Sequence, residues 1–347
     1  MVEPADARLT GVSRLSIPAA LVKEMGQKIF AACGCGYNEA FEVLDHLIDA
    51  ERSGVASHGV VRIIQYAREY RDGQLIAGAS VEIQEDAPNR LRLEANGGIG
   101  IRAIRTAVDV AAERCIDHGL AMATLRGAGH TGRLGAFAER AARRGCMTIT
   151  LGGGDRTRWR MVAPYGGRKA LLPTNPYCIG IPGGARGPVV LDFATSMIAG
   201  GWIYAARAAG TDLPPGMIID KDGKPTIDPA AYFDGGAILP KGGHIGSGLA
   251  LVAELIGEAM LGPVTKGEIN WMVLAVNCAS LAAPEQMRAA AEEILAEIRE
   301  CPPLQAAQPV SVPGERERDR AAATGDLLQI PAPIWEAICA LECQGTA

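Results

Sequence analysis

The chain has 347 residues, of which 48% are hydrophobic and 5% aromatic, and its formal net charge is −5. This length allows a large core and two or three packed units. The acidic balance gives no electrostatic reason to expect a nucleic acid or an anionic membrane as partner. No apolar stretch approaches the roughly 20 residues that span a bilayer, and the first residues show no secretory pattern.

The cysteine and histidine spacings bear on compartment and metal content. The nine cysteines are odd in number and follow no regular framework, which predicts reduced thiols and a cytoplasmic location. The five histidines show neither HxH nor HExxH spacing, so we expect no structural zinc site and no other metal.

The start of the chain predicts a helical N-terminal unit over residues 1–75. One helix is predicted to begin at Ser16, a second at Asn38 and a third over Val60–Tyr70, from periodic apolar residues and helix-start signals. We expect this unit to pack with the C-terminal helices of residues 283–347.

Residues 76–282 predict an α/β region, because short apolar runs alternate with glycine-rich loops. Strands are predicted over Leu91–Glu94, Met122–Leu125, Met147–Leu151, Cys178–Ile181 and Val189–Leu191. Further helices are predicted over Ala103–His118, Ser247–Met260, Ala283–Arg299 and Pro331–Leu341. The passage 210–241 has few helix signals, and the segment 302–325 is rich in proline and charge.

The stretch Gly98–Ala103 matches GxGxxA between a predicted strand and a predicted helix, the context of a dinucleotide-binding fingerprint. That fingerprint expects an acidic residue at the end of a second strand about 20 residues further on. Here Glu113 and Asp117 fall inside the helix instead, and the turn follows the helical unit rather than opening a βαβ unit. The alternative is a glycine turn that lets the helix pack on the strand.

The triplet Ser57-His58-Gly59, followed by Arg62 and Tyr66, is the most informative stretch. Histidine gains or loses a proton near neutral pH, and arginine can bind a carboxylate with two parallel hydrogen bonds. In a helix, Arg62 and Tyr66 share one face. The pattern indicates an acid/base group, a carboxylate-binding group and a hydroxyl side by side, or else solvated surface residues.

Six motifs follow one another in the chain. They are Ser57–Gly59 with Arg62 and Tyr66, Gly129–Gly132, Pro164–Gly167 with Thr174–Pro176, Leu191–Ser196, Leu239–His244 and Val312–Glu317. In this order and spacing, over residues 14–340, the chain resembles the malate/L-lactate dehydrogenase family. That family includes ureidoglycolate dehydrogenase, diketogulonate reductase, sulfolactate dehydrogenase and cyclic ketimine reductases.

The resemblance implies an α/β, non-Rossmann nicotinamide-binding fold, with NAD or NADP as cofactor and a small-molecule carboxylate as substrate. It also implies a homodimer with the active site near the subunit interface. We expect residues 76–282 to form the α/β cofactor- and substrate-binding region.

Site residues are carried over position by position. The catalytic candidates are His58, His130 and Asp192, where Asp192 either orients a histidine or caps the helix that follows it. The substrate-binding candidates are Arg62, Tyr66 and Thr174. The cofactor-binding candidates are Ser57, Asp192, Ala194, Thr195, Ser196, Gly243, His244, Ile245, Gly246, Pro313, Gly314 and Glu315.

Two positions depart from the family pattern. Ile245 and Trp202 stand where the family usually has lysine, so two cationic positions are apolar. Ile245 either faces the cofactor or substrate, or packs inside a buried turn. The loop Asp155–Arg160 is longer and more basic than usual, and its three arginines are candidates to restore the charge.

The resemblance predicts an NAD(P)-dependent oxidoreductase that interconverts a small 2-keto acid and its 2-hydroxy acid. One alternative is reduction of a cyclic imino acid, such as pyrroline- or piperideine-2-carboxylate, because an imine carbon beside a carboxylate also accepts hydride. A second alternative is a non-redox descendant, a lyase or a binding protein, which Ile245 and Trp202 favour.

Overall fold

The computed structural model describes residues 13–155, 157–264, 267–305 and 309–345. Its helices are α1 Ala19–Ala32, α2 Tyr37–Arg52, α3 Arg62–Arg71, α4 Gly100–His118, α5 Leu134–Arg143, α6 Gly200–Ala209, α7 Pro229–Phe233, α8 His244–Glu254, α9 Pro284–Glu300, α10 Glu315–Thr324 and α11 Ala332–Gly345. Its strands are β1 Arg14–Pro18, β2 Glu82–Ala87, β3 Arg90–Glu94, β4 Leu120–Ala128, β5 Cys146–Gly154, β6 Pro176–Ile181, β7 Val189–Ala194, β8 Ile218–Ile219, β9 Pro225–Thr226, β10 Ala237–Ile238, β11 Ile269–Asn277 and β12 Leu327–Pro331.

A seven-stranded mixed sheet has the strand order β2-β3-β4-β11-β5-β6-β7. Leu93 shows the mixture, because it pairs with Ile83 in an antiparallel manner and with Leu125 in a parallel manner. A Rossmann sheet has the order 3-2-1-4-5-6 and is parallel. Here an antiparallel hairpin forms one edge and a late strand, β11, lies in the middle, so the expected non-Rossmann α/β fold is confirmed.

The glycine turn before α4 packs against the protein's own backbone. The Gly129 N–H donates to the Gly98 carbonyl at 3.0 Å, and a Cβ on Gly100 would lie 2.0 Å from the Gly129 oxygen. The turn therefore lets its backbone approach the loop that follows β4 closely. The close-packing alternative for GxGxxA is the one that the structure favours.

The chain divides into two compact units. Within the described ranges, the larger unit contains residues 14–150, 178–192 and 272–345, and the smaller unit contains residues 151–177 and 193–271. This division differs from the predicted one at residue 75. Helix α2 packs against α4 in the larger unit, where Glu42 pairs with Arg102 at 3.0 Å, so residues 14–75 do not separate from residues 76–150.

The two ends of the chain meet in the larger unit. Strands β1 and β12 form an antiparallel pair, α1 packs against α11, and Lys28 pairs with Glu342 at 3.3 Å. The helix predicted from Ser16 begins later, at Ala19, because Ser16 belongs to β1 and pairs with Gln329. The partner strand lies more than 300 positions away in sequence, which local periodicity does not reveal.

The smaller unit has its own apolar core. A three-stranded sheet of order β10-β8-β9 lies in the passage 210–241, for which the sequence shows few helix signals. Its short strands pair across few residues, so they carry little periodic signal. The core side chains include Val162, Leu172, Ile203, Leu213, Ile218 and Ile238.

Helix α10 lies in the proline- and charge-rich segment 302–325. Its only buried residue is Glu315, which pairs with Arg299 at 2.8 Å and with Arg186 at 3.2 Å. Ion pairs rather than an apolar stripe anchor this helix, so hydrophobic periodicity gives no sign of it.

None of the helices in the described parts of the chain is long and apolar enough to cross a membrane. The nine cysteines are free thiols, and the nearest pair, Cys115 and Cys146, has its sulfur atoms 3.4 Å apart.

Candidate active site

His58 ends a 3₁₀ turn between α2 and α3. The turn is held from both sides. The Val60 N–H donates to the Glu51 carboxylate at 3.0 Å, and Nε of Arg62 donates to the Ser57 carbonyl at 2.7 Å. These contacts place His58 directly before the helix that carries Arg62.

His130 lies in the loop between β4 and α5, and His46 of α2 fixes that loop. Nε2 of His46 accepts a hydrogen bond from the Arg133 N–H at 2.9 Å, and its ring stacks on Phe137. Gly132 has φ +69°, and a Cβ there would lie 2.3 Å from Nε2 of His46. Sequence reasoning gave His46 no role in the site, because nothing in its helical spacing marks it.

Four predicted residues of the larger unit come together. The rings of His58 and His130 stack with centroids 5.4 Å apart. The hydroxyl of Tyr66 lies 2.7 Å from Nδ1 of His130. Arg62 stands one helical turn before Tyr66 on α3. A loop, a turn and a helix thus bring two histidines, a tyrosine and an arginine into one cluster.

Both histidines of the cluster are neutral at pH 7. Burial, with the nearby Arg62 charge second, lowers the pKa of His58 to about 3. The same two causes hold the pKa of His130 well below its usual range. Neutral imidazoles can accept a proton, and each can also donate its single N–H.

Arg62 is half-buried and makes no ion pair within the described ranges. Its Nε and Nη1 donate to the Ser57 carbonyl and to the Gln65 side chain, and Gln65 in turn donates to Glu69 at 3.0 Å. Burial lowers the pKa of Arg62. A partly desolvated guanidinium with donors to spare can bind an incoming carboxylate.

The hydroxyl groups of Ser57 and Tyr66 each contact one of the two histidines. The Ser57 hydroxyl lies 3.0 Å from Nδ1 of His58, whereas the prediction gave Ser57 to the cofactor. The Tyr66 side chain is fully buried and contacts His130, whereas the prediction gave Tyr66 to the substrate.

Asp192 contacts a helix start rather than a histidine. Its Oδ2 accepts a hydrogen bond from the Gly135 N–H in the first turn of α5, at 2.7 Å. Asp192 as a whole residue is exposed, but desolvation of its carboxyl group beside the start of α5 raises the pKa to about 6, while Gly135 and Arg133 act in the opposite direction. Among the described residues Asp192 hydrogen-bonds no histidine, and the helix that it caps is α5 rather than the residues after it.

Glu315 is engaged by arginines of its own unit. Its carboxylate is 3% exposed and pairs with Arg186 and Arg299. The neighbouring Pro313 carbonyl accepts from the Val190 N–H at 3.0 Å, and Gly314 has φ +91°. In Pro313–Glu315 the side-chain charge is therefore already neutralised.

In the smaller unit, Thr195 and Ser196 are buried and bonded internally. The N–H and the hydroxyl of Thr195 both donate to the Thr174 carbonyl, at 2.9 and 2.8 Å. The Ser196 hydroxyl donates to the Ile198 carbonyl at 2.8 Å. Their hydroxyls hold this segment and its half-buried neighbour Ala194 in place.

Helix α8 starts after two glycines of positive φ, Gly242 and Gly243. Gly246 is packed so closely that a Cβ would lie 2.5 Å from the Thr195 oxygen. His244 meets an exposed tyrosine ring edge-on. Ile245 is 59% exposed, so the alternative in which it packs inside a buried turn is wrong.

Similarity to known proteins decides the family. Residues 17–339 match the family described as Malate/L-lactate dehydrogenase. The chain belongs to the malate/L-lactate dehydrogenase family. It is 32% identical over 335 residues to the L-lactate dehydrogenase of Cupriavidus necator, which covers 92% of this chain and 95% of that protein.

Two further relatives of this family extend the comparison. The chain is 32% identical over 255 residues, 74% of each protein, to the Δ1-pyrroline-2-carboxylate/Δ1-piperideine-2-carboxylate reductase of Pseudomonas putida. The crystal structure of a dehydrogenase from Sinorhizobium meliloti has a TM-score of 0.84 at 30% identity, covering 95% of this chain and 98% of that chain. The protein is an oxidoreductase of the malate/L-lactate dehydrogenase family.

The two family lysine positions are occupied by side chains that reach the surface. Trp202 is half-buried in the first turn of α6. In the loop Asp155–Arg160, the Asp155 carboxylate accepts hydrogen bonds from the Arg158 N–H at 3.1 Å and from the Gly267 N–H at 2.9 Å. Arg160 is exposed, and Arg156 lies outside the described residues.

The donor set at the start of α8 fits an anionic dinucleotide. A helix start carries partial positive charge and unsatisfied N–H groups. Lys241 lies four residues before Ile245 and makes no ion pair in the part of the chain that the structure describes; partial burial lowers its pKa. The side chains of Thr195, Ser196 and Glu315 are already engaged, which leaves backbone groups and Lys241 as the polar groups to offer.

Proposed function

We propose that the protein is an NAD(P)-dependent oxidoreductase that interconverts a small 2-keto acid and its 2-hydroxy acid. The observation that carries this proposal is Arg62, a half-buried guanidinium that has no ion-pair partner among the described residues and lies beside the neutral His58 and His130. A 2-keto acid has a carboxylate for the arginine and a carbonyl oxygen next to it for a histidine. The relation to the L-lactate dehydrogenase supports this substrate class.

The chemistry needs three groups, and the cluster offers two of them. Arg62 binds the carboxylate and orients the substrate, so the reacting groups are held in the geometry that the reaction needs. A histidine donates to, or takes a proton from, the substrate oxygen. The third group, a nicotinamide, supplies or accepts the hydride when it is bound.

For the cofactor, we propose that the start of α8 holds the phosphates through its backbone N–H groups and Lys241. Gly243 has a positive φ and forms, with Gly242, the tight turn that precedes this helix start.

A second candidate is reduction of a cyclic imino acid. The similarity to the pyrroline- and piperideine-carboxylate reductase favours it. Its substrate also places a carboxylate next to the carbon that accepts hydride, so Arg62 and the two histidines serve it equally.

The homodimer and the cytoplasmic location stay predictions, and light scattering of the purified protein checks the first.

The test begins with NADH and NADPH fluorescence in the presence of the purified protein. The cofactor that binds is then used with a panel of 2-keto acids and cyclic imino acids, and loss of nicotinamide absorbance is followed. We expect turnover with at least one carboxylate of either class. Binding of neither nucleotide would contradict the proposal and favour the non-redox alternative.

A further inference from the structure

The two histidines differ in the group that contacts Nδ1. In His130 that nitrogen faces the Gly132 N–H at 3.2 Å as well as the Tyr66 hydroxyl at 2.7 Å. Among the residues that the structure describes, Nδ1 of His58 faces only the Ser57 hydroxyl, at 3.0 Å. A backbone N–H can only donate, whereas a hydroxyl can donate or accept. The Gly132 contact therefore requires Nδ1 of His130 to be an acceptor, whereas the Ser57 contact allows Nδ1 of His58 to be protonated or not.

His130 is confined to one protonation state. Because the Gly132 N–H donates to Nδ1, that nitrogen must present its lone pair, and the Tyr66 hydroxyl donates to it as well. The Tyr66 phenol stays protonated, since burial raises its pKa above the usual range. The proton of the neutral ring is therefore on Nε2, and a second proton on Nδ1 would point at a backbone hydrogen.

Gly132 enforces this arrangement. Its φ of +69° and the lack of space for a Cβ beside His46 fix the direction of its N–H. Tyr66 is equally fixed, because its side chain is fully buried on α3. The Tyr66 hydroxyl hydrogen can rotate, but the Gly132 N–H cannot turn away to make room for a proton on Nδ1 of His130.

His58 is free to change its protonation state. When the ring is neutral with the proton on Nδ1, the Ser57 hydroxyl accepts from it. When the ring is protonated on both nitrogens, the same contact is kept. Nε2 of His58 makes no hydrogen bond within the described residues, so it is the nitrogen that can exchange a proton with a ligand.

We propose that His58 carries the proton in the reaction, while His130 stays neutral and donates its Nε2–H to the substrate oxygen, held in that state by Tyr66 and Gly132. This inference rests on the proposed function. His58 and His130 are then both catalytic residues with different roles, and Tyr66 is a positioning residue.

In the reducing direction, a bound reduced nicotinamide would supply a hydride to the carbonyl carbon, and the π electrons of the carbonyl would move to its oxygen. That oxygen takes the Nε2 proton of His58, which becomes neutral with its remaining proton on Nδ1 towards Ser57. Water later returns the proton, and the hydrogen bond from His130 stabilises the developing negative charge without breaking its N–H bond.

The first experiment observes the tautomer in the ligand-free protein. Protein labelled with ¹⁵N-histidine is examined by NMR, and the His130 signals are assigned by their loss in His130→Gln. We expect one protonated nitrogen, Nε2, at every pH between about 5.5 and 8. A His130 ring protonated on Nδ1, or doubly protonated in this range, would overturn the proposal.

The second experiment separates proton transfer from hydrogen bonding. Glutamine can donate an N–H but cannot carry a proton. His58→Gln should lower kcat by roughly 10²–10⁴-fold, whereas His130→Gln should keep kcat within about tenfold of the native value, and His130→Ala should lose roughly 10²–10³-fold. Equal losses in the two glutamine variants, or a larger loss at His130, would contradict the division of roles.

The two experiments also separate this inference from the proposed function. If no carboxylate is turned over, the dehydrogenase proposal fails, and the assignment of His58 as proton carrier fails with it. The NMR result stands apart, because it reports the Tyr66–His130–Gly132 arrangement in the absence of any substrate.

Discussion

The hydroxyl of Tyr66 donates to Nδ1 of His130 across 2.7 Å, from a side chain that is fully buried. This contact links α3, which carries Arg62, to the loop after β4. It also means that Tyr66 has no free hydroxyl hydrogen to offer a substrate. The tyrosine acts on the reaction through the histidine that it positions.

Replacing Tyr66 with phenylalanine should lower kcat by roughly two- to tenfold, the worth of one net hydrogen bond of about 0.5–1.5 kcal/mol, with little change in KM. Tyr70→Phe is the matched control, since Tyr70 lies on the same helix and its hydroxyl donates to Glu39 at 2.9 Å. Both variants should lose stability in thermal melts, but only Tyr66→Phe should lose kcat. Equal effects on kcat would show that the Tyr66 hydroxyl matters for packing alone.

Ile245→Lys should tighten nucleotide binding. Ile245 is 59% exposed, so a lysine there stays solvated and can make a charge-assisted contact of about 1.5–3 kcal/mol, roughly ten- to a hundredfold in affinity. Leu251→Lys, at a 53% exposed position of the same helix, controls for added charge. Titration with NADH and NADPH gives the affinities, and a thermal melt should show no loss of stability. Tight binding by the native protein with no gain from the lysine would indicate that another cation, such as Lys241, already fills this role.

The pH dependence of kcat/KM should differ between the two directions. Reduction needs a protonated His58, whose pKa is lowered to about 3 chiefly by burial. Its protonated fraction therefore falls about tenfold per pH unit between about pH 5 and pH 8, and kcat/KM for reduction should fall in the same proportion. Oxidation needs neutral His58 and should show no such slope.

A bound carboxylate should change the kcat profile. It offsets the Arg62 charge, which ranks after burial among the causes of the low His58 pKa. The midpoint for kcat should therefore lie above that for kcat/KM. A plateau of kcat/KM for reduction below about pH 6.5, the ordinary histidine value, would contradict the assignment.

Protonation of His46 should lower the free energy of unfolding in acid. Burial, with Arg133 second, lowers its pKa to about 4, below the value of about 6.5 in the unfolded chain. The unfolded state therefore binds more protons between these values, and stability falls as the pH drops through this window. His46→Gln keeps an acceptor for the Arg133 N–H but cannot be protonated. Relative to native protein it should gain roughly 2 kcal/mol between about pH 7.5 and pH 5, measured by denaturant unfolding, and a constant difference would contradict the assigned cause.

Local spacing was enough to find part of the site. His58, Arg62 and Tyr66 lie within nine residues, and helical geometry places the last two on one face, so their proximity follows from the sequence. His130 joins them only through the resemblance, since its loop meets α3 across a long stretch of chain. That it is Tyr66 that contacts His130 depends on tertiary packing, which no spacing encodes.

Two other predicted site residues contact partners that are distant in sequence. Glu315 looked available for a cofactor, but Arg186 and Arg299 already pair with it. Asp192 looked placed to orient a histidine, but the start of α5 takes its carboxylate. An isolated carboxylate in a sequence shows that a partner is needed, and it does not show which partner the fold supplies.

The most direct test of the central claim pairs Arg62 with the substrate carboxylate. The best 2-keto acid from the panel is compared with its uncharged methyl ester, using native protein and Arg62→Met, and kcat/KM is measured for all four combinations. We predict that native protein prefers the acid by roughly ten- to a hundredfold, the worth of a charge-assisted contact, and that Arg62→Met loses this preference. Arg68→Met, an exposed position on the same helix, should keep it. An acid preference that survives in Arg62→Met would show that the carboxylate binds elsewhere and would contradict the account.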